Sequence, residues 1–294
     1  MIVVFGSINL DLIFRLGELP RPGETLLASG FRSEPGGKGA NQAVAAARDG
    51  ADVVLFGAVG RDPFAAAALA GLRAAGVDLS NIESADAATG VASILTDRAG
   101  RNSIAVAPGA NLFARQSNIS DDVLRAASLV LVQMECDLDE TATLIVRAHA
   151  LGARVVLNLA PAADLPADIL EKLRLLVVNE QEAAFVANRL GVAAEASALA
   201  RRLGIGVVRT LGEAGCEAFA DGRHYTLPAH AVAAIDTTAA GDCFVGVMAA
   251  AIDCGLDLEA ALRRASVAAA LACTRAGSQS SVPTRADTDA AMAG

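Results

Sequence analysis

Residues 235–244 read I-D-T-T-A-A-G-D-C-F. A strand-like approach ends at Ile235, a turn of small residues follows, and an apolar helical pattern then begins with Phe244, Val245, Val247, Met248, Ala251 and Ile252. The start of a helix leaves backbone N–H groups without internal partners, and its dipole favours negative charge there. Ala239, Ala240 and Gly241 carry so little side chain that an anion can approach their amides. Asp242 stands in the first turn. An isolated Asp at such a place is usually a plain helix-terminal acid. Here it is a carboxylate able to accept a proton beside an amide cup for a phosphate, and phosphoryl transfer needs both parts.

Outward from this stretch, apolar runs alternate with helical patterns. Residues 2–5, 53–59, 129–134, 154–159, 173–178 and 205–210 read as buried strands, and 63–75, 139–151, 196–204, 241–254, 258–276 and 284–292 as helices. Residues 91–96 and 102–106 form a hairpin candidate around Arg98-Ala99-Gly100, and 216–220 and 223–227 are two further short β segments. The alternation predicts an α/β fold with a largely parallel sheet covered by helices. Asn9, Glu135, Asn179 and Thr210 each follow an apolar strand, and Asp11, Glu182 and Asp242 lie just beyond. The carboxyl ends of parallel strands share one edge, so these groups are candidates to line one cleft. Taken singly, each is ordinary turn or cap chemistry. Residues 36–49 read G-G-K-G-A-N-Q-A-V-A-A-A-R-D, a glycine-rich turn entering an Ala-rich helix. It is neither the G-x-x-x-x-G-K-[ST] phosphate loop nor the G-x-G-x-x-G dinucleotide fingerprint. Alone it is a weak anion- or hydroxyl-binding signal, and the default for Lys38 is to face solvent.

Composition narrows the class. The 294 residues are 53% hydrophobic, enough for a large core, and carry 24 basic against 33 acidic residues, net −9. That balance argues against nucleic acid or an anionic membrane as partner. Cysteines 136, 216, 243, 254 and 273 are odd in number and contain no C-x-x-C, which fits reduced thiols in a cytoplasmic protein. Cys243 reads as a packing residue despite its place in the key stretch. With three His and no H-E-x-x-H, a His-based metal site is not indicated. The opening M-I-V-V-F-G-S-I reads as a first strand and not as a signal peptide, and no apolar run is long enough for a membrane helix.

Two motifs carry a resemblance. G-G-K-G-A-N-Q at Gly36–Gln42 and D-T-T-A-A-G-D-C-F at Asp236–Phe244, in this order and separation, are similar to the signatures of the ribokinase (PfkB) family of sugar and nucleoside kinases. The intermediate pieces agree: S-I-N-x-D at Ser7–Asp11, P-G-A-N at Pro108–Asn111, N-E-x-E at Asn179–Glu182, T-L-G at Thr210–Gly212 and G-x-x-x-S-V-P at Gly277–Pro283. The resemblance covers essentially the whole chain. It implies a single ribokinase-like domain over 1–294, a three-layer α/β/α sandwich with a mostly parallel central sheet. It also implies a small β-sheet lid from about 12–34 and 88–106, pairing with a second copy's lid as a homodimer. The implied reaction is ATP-dependent phosphorylation of a primary sugar hydroxyl, the 5-hydroxyl if the substrate is D-ribose.

Roles follow from the same resemblance. Asp242 matches the catalytic base, with the amides of Ala239, Ala240 and Gly241 as the anion hole. Asn9, Asp11, Gly37, Lys38, Gly39, Ala40, Asn41 and Glu135 match sugar-contacting positions. Asn179 and Glu182 match the Mg²⁺-associated element, acting through water. Thr210, Leu211, Gly212, Glu213, Ala214, Gly215 and Ser266 match the nucleotide site, together with Asn179 and Gly241. Asp236, Thr238, Ala272, Arg275, Gly277 and Ser281 match the loops that hold a monovalent cation, usually K⁺. Thr238 replaces a commonly apolar residue, and Ser266 stands where relatives often have His. Nucleoside, deoxyribose and fructose-type kinases remain alternatives within the family, and a non-catalytic sugar- or nucleotide-binding regulator is the alternative of another class.

Overall fold

The structure is a computed structural model that describes residues 1–293. In chain order its elements are β1 (Ile2–Phe5), β2 (Asn9–Arg15), β3 (Gly30–Gly36), α1 (Lys38–Arg48), β4 (Val53–Gly60), α2 (Pro63–Ala68), α3 (Ala70–Ala74) and β5 (Ile82–Ala85). Then come β6 (Gly90–Thr96), β7 (Asn102–Ala107), α4 (Asp121–Ala126), β8 (Leu129–Val132), α5 (Leu138–Ala150), β9 (Val155–Asn158), α6 (Ala167–Leu170), β10 (Leu175–Val178) and α7 (Glu180–Leu190). The rest are α8 (Ala196–Leu203), β11 (Gly206–Thr210), β12 (Cys216–Ala220), β13 (Arg223–Leu227), α9 (Ala240–Asp253), α10 (Leu258–Cys273) and α11 (Arg285–Ala293).

Nine strands form the central sheet in the order β13-β12-β11-β10-β9-β8-β1-β4-β5. Every pair from β5 to β11 is parallel, and β12 and β13 close the edge antiparallel. Strands buried on both faces need continuous apolar runs, and I-V-V-F, L-V-L-V and L-L-V-V supply them. In β1 the pleat sends Ile2 and Val4 into one core with α1, α9 and α10, and Val3 and Phe5 into a second with α4, α5, α7 and α8. This is the three-layer α/β/α fold anticipated from the sequence. All five cysteines are free. No described helix is long and apolar enough to cross a membrane.

A second sheet, ordered β3-β2-β6-β7, forms the lid. It starts at Asn9 and ends at Ala107, so it reaches further toward the core than the 12–34 and 88–106 boundaries. Asn9 and Asp11 therefore sit on a lid strand and not in a turn. The alternation of β2 turns Asn9, Asp11, Ile13 and Arg15 to one face, while Leu10 joins the first core and Leu12 packs against it. Register pairs Asp11, Ile13 and Arg15 with Ala92, Ile94 and Thr96 of β6, which in turn face Val106, Ile104 and Asn102 of β7. One face of the lid thus looks into the cleft.

Other elements differ from the reading in detail. The helix expected over 63–75 is broken at Leu69, although the Leu69 amide still bonds to Ala65. The helix expected to reach 276 stops at Cys273, because Arg275 folds back onto Ala272 and the chain turns into the loop facing residue 236. β5, α4 and α6 are short and lack a long periodic signal; none was anticipated.

Candidate active site

Strand β3 runs into α1 through Gly37, whose φ of 90° is open to glycine and costly for other residues. The loop between β1 and β2 passes directly beneath this helix start. A Cβ at Gly39 would lie 2.5 Å from the Gly6 carbonyl carbon, so only glycine permits the approach. The first amides of α1 are satisfied from that loop and from far along the chain. Lys38 N donates to Glu135 Oε2 at 3.0 Å, Gly39 N to Ser7 Oγ at 3.2 Å and Ala40 N to the Ser7 carbonyl at 2.9 Å. Ser7 Oγ itself donates to Glu135 Oε2 at 2.6 Å. Glu135 therefore caps α1 with one carboxylate oxygen and reaches the cleft with the rest of its side chain. Gly39 and Ala40 serve this junction and do not line the cleft.

Asn9 is oriented by Asn111. Asn111 Nδ2 donates to Asn9 Oδ1 at 2.7 Å, and Asn111 Oδ1 accepts from Ile8 N at 2.8 Å. With its oxygen engaged, Asn9 presents N–H donors to the cleft. Asp11 lies over Gly36, where any Cβ would collide with its carboxylate. Burial, then the charges of Glu135, Asp242 and Glu34, push the Asp11 carboxyl up to about 7, with Lys38 opposing.

Asp242 is buried in the first turn of α9, and α1 supplies a donor to each of its oxygens. Asn41 Nδ2 lies 3.0 Å from Oδ2 and Gln42 Nε2 lies 2.9 Å from Oδ1. Asn41 is steadied by Gln279 Nε2, which donates to its Oδ1 at 3.1 Å. Lys38 is partly buried and not free in solvent. Asp242 above all, with Glu135, Glu182 and Asp11, raises its pKa against the effect of burial. Ala239 caps α9 at φ 57°, a left-handed conformation that a residue with a Cβ adopts at a cost. Of the three turn amides, that of Ala240 donates to the Thr237 carbonyl at 3.2 Å. Together Asn9, Asp11, Lys38, Asn41, Glu135 and Asp242 line a cavity of about 560 Å³, roofed by the lid and bordered by residues 234–239.

The chain as a whole is similar to known proteins. The family model described as "pfkB family carbohydrate kinase" matches residues 1–285. The chain belongs to the pfkB family of carbohydrate kinases. It is 35% identical to a ribokinase of Bacillus subtilis over 287 residues, 97% of this chain and 96% of that one. The structure of a Thermotoga maritima ribokinase superposes with a TM-score of 0.92 at 31% identity, covering 100% of this chain and 99% of that one. That of an Arabidopsis thaliana ribokinase complexed with ribose and ATP gives 0.89 at 29% identity, covering 99% and 98%.

In this pfkB-family kinase the remaining candidate residues fall into two groups outside or at the rim of the cavity. Asn179 and Glu182 form a capping box at the start of α7: Glu182 N donates to Asn179 Oδ1, and Asn179 N to Glu182 Oε2, both at 2.8 Å. Burial raises the Glu182 pKa, opposed by the Asn179 amide and by Lys38. Thr210 ends the neighbouring strand β11, Leu211–Gly215 turn away from it, and Ser266 lies on α10. None of these lines the cavity. At the rim, Asp236 ties two loops together. Its Oδ1 accepts from Thr238 N at 2.9 Å and Thr238 Oγ1 at 2.6 Å, and its Oδ2 from Gly277 N at 3.1 Å. Burial opposes it, but these donors and Arg32 hold the Asp236 carboxyl below the usual range. Ala272 lies in the last turn of α10 and Arg275 just beyond its end, and Ser281 Oγ donates to the Ser278 carbonyl at 2.9 Å. No group of three or more His, Cys, Asp or Glu able to hold a metal occurs among the described residues.

Ser7, Gln42 and Asn111 were inside recognised motifs without a role, and Gln133 and Asn158 carried no signal, since a lone amide after a strand is common. Arg15 and Arg32 of the lid also border the cavity unannounced, because their facing depends on the lid register.

The Asp11 environment has a stability consequence. Its folded-state pKa, about 7, exceeds the ordinary 3.8, so between about pH 4 and 7 the folded state holds more protons than the unfolded state. Asp11 therefore makes stability fall as pH rises through that window. Denaturant melts of the unliganded protein across pH 4–8 should show this fall, and Asp11→Asn should flatten it. An identical pH slope in the variant would contradict the assignment.

Proposed function

We propose that this chain transfers the γ-phosphoryl group of ATP to the 5-hydroxyl of D-ribose, with Asp242 as general base. The observation that carries the reading is that a carboxylate held on both oxygens by α1 opens onto the same cavity as a ring of polyol-recognising groups. The ribokinase relatives, one of them solved with ribose and ATP, support it. Asn9 offers donors, Glu135 and Asp11 offer carboxylates, and Lys38 and Asn41 offer N–H groups. Each sugar hydroxyl can then be paired, and a sugar lacking one leaves a buried polar group unsatisfied at about 1–3 kcal/mol. The lid side of the cavity carries the aliphatic Ile13, Ala92, Ile94, Ile104 and Val106 beside Arg15, Arg32, Thr96 and Asn102, and no aromatic ring is among the described residues lining it. A nucleobase would find no stacking surface there, which favours a free sugar over a nucleoside.

In the reaction the 5-hydroxyl lies in line with the γ-phosphorus, Asp242 takes its proton as the oxygen–phosphorus bond forms, and ADP leaves. The amides of Ala239 and Gly241 face the transferring group at the α9 N-terminus. That of Ala240 joins them once it leaves the Thr237 carbonyl. Asn179 and Thr210–Gly215 with Ser266 form the nucleotide side. Mg²⁺ would neutralise phosphate charge there. Glu182 fits this role, since Mg²⁺ keeps waters and needs few protein carboxylates. The loops joined by Asp236, with Thr238, Gly277, Ser281, Ala272 and Arg275, would take a K⁺ through backbone oxygens and order the anion hole. A cytoplasmic location and pairing of two copies through the lid belong to the same reading. Leu27 and Phe31 are 94% and 61% exposed, apolar surface suited to such a pairing. Sedimentation equilibrium should give twice the chain mass, and a monomer at micromolar concentration would count against the dimer.

ADP release with Mg-ATP should depend on D-ribose. Asp242→Asn should lower kcat by about 10²- to 10⁴-fold with little change in the KM for ribose. Near-normal turnover by that variant would remove Asp242 as base. Turnover with a nucleoside or with fructose but not with ribose would overturn the substrate.

A further inference from the structure

Behind Asp242, on the side away from the cavity, lies a chain of buried amides. Gln42 is fully buried and follows Asn41 on α1. Its Nε2 donates to Asp242 Oδ1 and to Asn158 Oδ1, each at 2.9 Å, and its Oε1 accepts from Gln133 Nε2 at 2.7 Å. Asn158 is fixed in turn, because its Nδ2 donates to the Val177 carbonyl at 3.3 Å. These bonds allow one orientation of the Gln42 amide. Turned over, its oxygen would face the Asp242 carboxylate and the Asn158 oxygen, and its N–H groups would face the donors of Gln133. Gln133 Oε1 has no partner and lies against Gly6, where a side chain would strike it. The Gln133 side chain is thus present for one hydrogen bond, the one to Gln42.

We propose that Gln42 is a positioning residue for phosphoryl transfer. It fixes the plane of the Asp242 carboxylate, and Gln133 and Asn158 fix Gln42. This rests on the reading of Asp242 as base. Asn41 alone holds one oxygen and leaves the carboxylate free to turn about its last torsion. A second donor on the other oxygen removes that freedom, and a general base must be aimed as well as near. Gln133 follows β8, Asn158 ends β9 and Val177 lies in β10, so the relay ties the base to three adjacent strands of the central sheet. Apolar groups in place of the relay would fill the core as well but would leave Asp242 Oδ1 and the Val177 carbonyl without these donors. A packing role gives no reason for a donor aimed at Asp242.

The test uses Gln42→Met and Gln133→Met beside Asp242→Asn, each assayed for kcat, KM and the pH profile of kcat with the sugar that supports wild-type turnover. Gln42→Met keeps the length of the side chain and removes both donors. Its kcat should fall about 10- to 100-fold, with KM for sugar and ATP within about twofold. Hydrogen bonds favour the ionised form of the carboxylate that receives them, so the acid limb of kcat should also move to higher pH. Lys38 on α1, Asp11 on β2 and Glu182 on α7 share the field of Asp242 and are unchanged in these variants. Gln133→Met should shift both readouts the same way by a smaller amount. Wild-type kcat and an unmoved acid limb in Gln42→Met would overturn the proposal, as would a kcat loss matching only the unfolded fraction. If Gln42→Met fails to fold, Gln133→Met decides by the same two readouts. Normal turnover in Asp242→Asn would defeat the base itself. An inactive Asp242→Asn beside a normal Gln42→Met would defeat only the positioning role.

Discussion

The contact between α1 and α9 sets the site. Gly246 of α9 lies so close to α1 that a Cβ there would strike the Gln42 carbonyl and come within 2.6 Å of Ala45 Cβ. The close approach brings Asn41 and Gln42 within hydrogen-bond distance of Asp242. A buried carboxylate without donors is costly, and the packing of two small-residue helix faces is what brings donors to Asp242. Any residue larger than glycine at position 246 would separate the helices and loosen the carboxylate together.

The same junction gathers charge. Asp11, Glu135, Glu182 and Asp242 surround one cation, Lys38, at the start of α1. Burial first, and then the charges of its neighbours, raise the Asp11 pKa on the lid strand, and burial raises that of Glu182. Under the proposed function the excess of acid has a use: a metal-bound nucleotide would relieve the repulsion, and sugar hydroxyls would donate to the carboxylates. The lid supplies a single patterned face to this cluster. Alternate residues of β2, β6 and β7 look inward: Asn9 and Asp11, then the aliphatic Ile13, Ala92, Ile94, Ile104 and Val106, then Arg15, Thr96 and Asn102.

The order of strands and helices was legible because buried parallel strands demand unbroken apolar runs, and those runs stand out in this sequence. The helix start within 235–244 was legible because a turn of small residues there runs into an apolar helical pattern. What stayed hidden depends on register and distance. That Asn9 and Asp11 belong to the lid, and not to a turn, follows from pairing with residues 30–36 and 90–96, which no local pattern encodes. Glu135 as a cap for α1, 97 positions away along the chain, is likewise a tertiary fact. The motif shared with Lys38 and Asn41 suggests Gly39 and Ala40 as sugar contacts. The helix turn points their groups at Ser7 instead. Gln133 and Asn158 gave no signal because a buried amide is identified only by its partners.

The most direct test of the account is a crystal structure with D-ribose, Mg²⁺ and a non-hydrolysable ATP analogue. The ribose 5-hydroxyl should lie about 3 Å from the Asp242 carboxylate, with the γ-phosphate facing the amides of Ala239 and Gly241 and the Gln42 bond to Asp242 retained. A sugar bound with its 5-hydroxyl directed at Glu135 or at the lid, and Asp242 facing only protein donors, would contradict it.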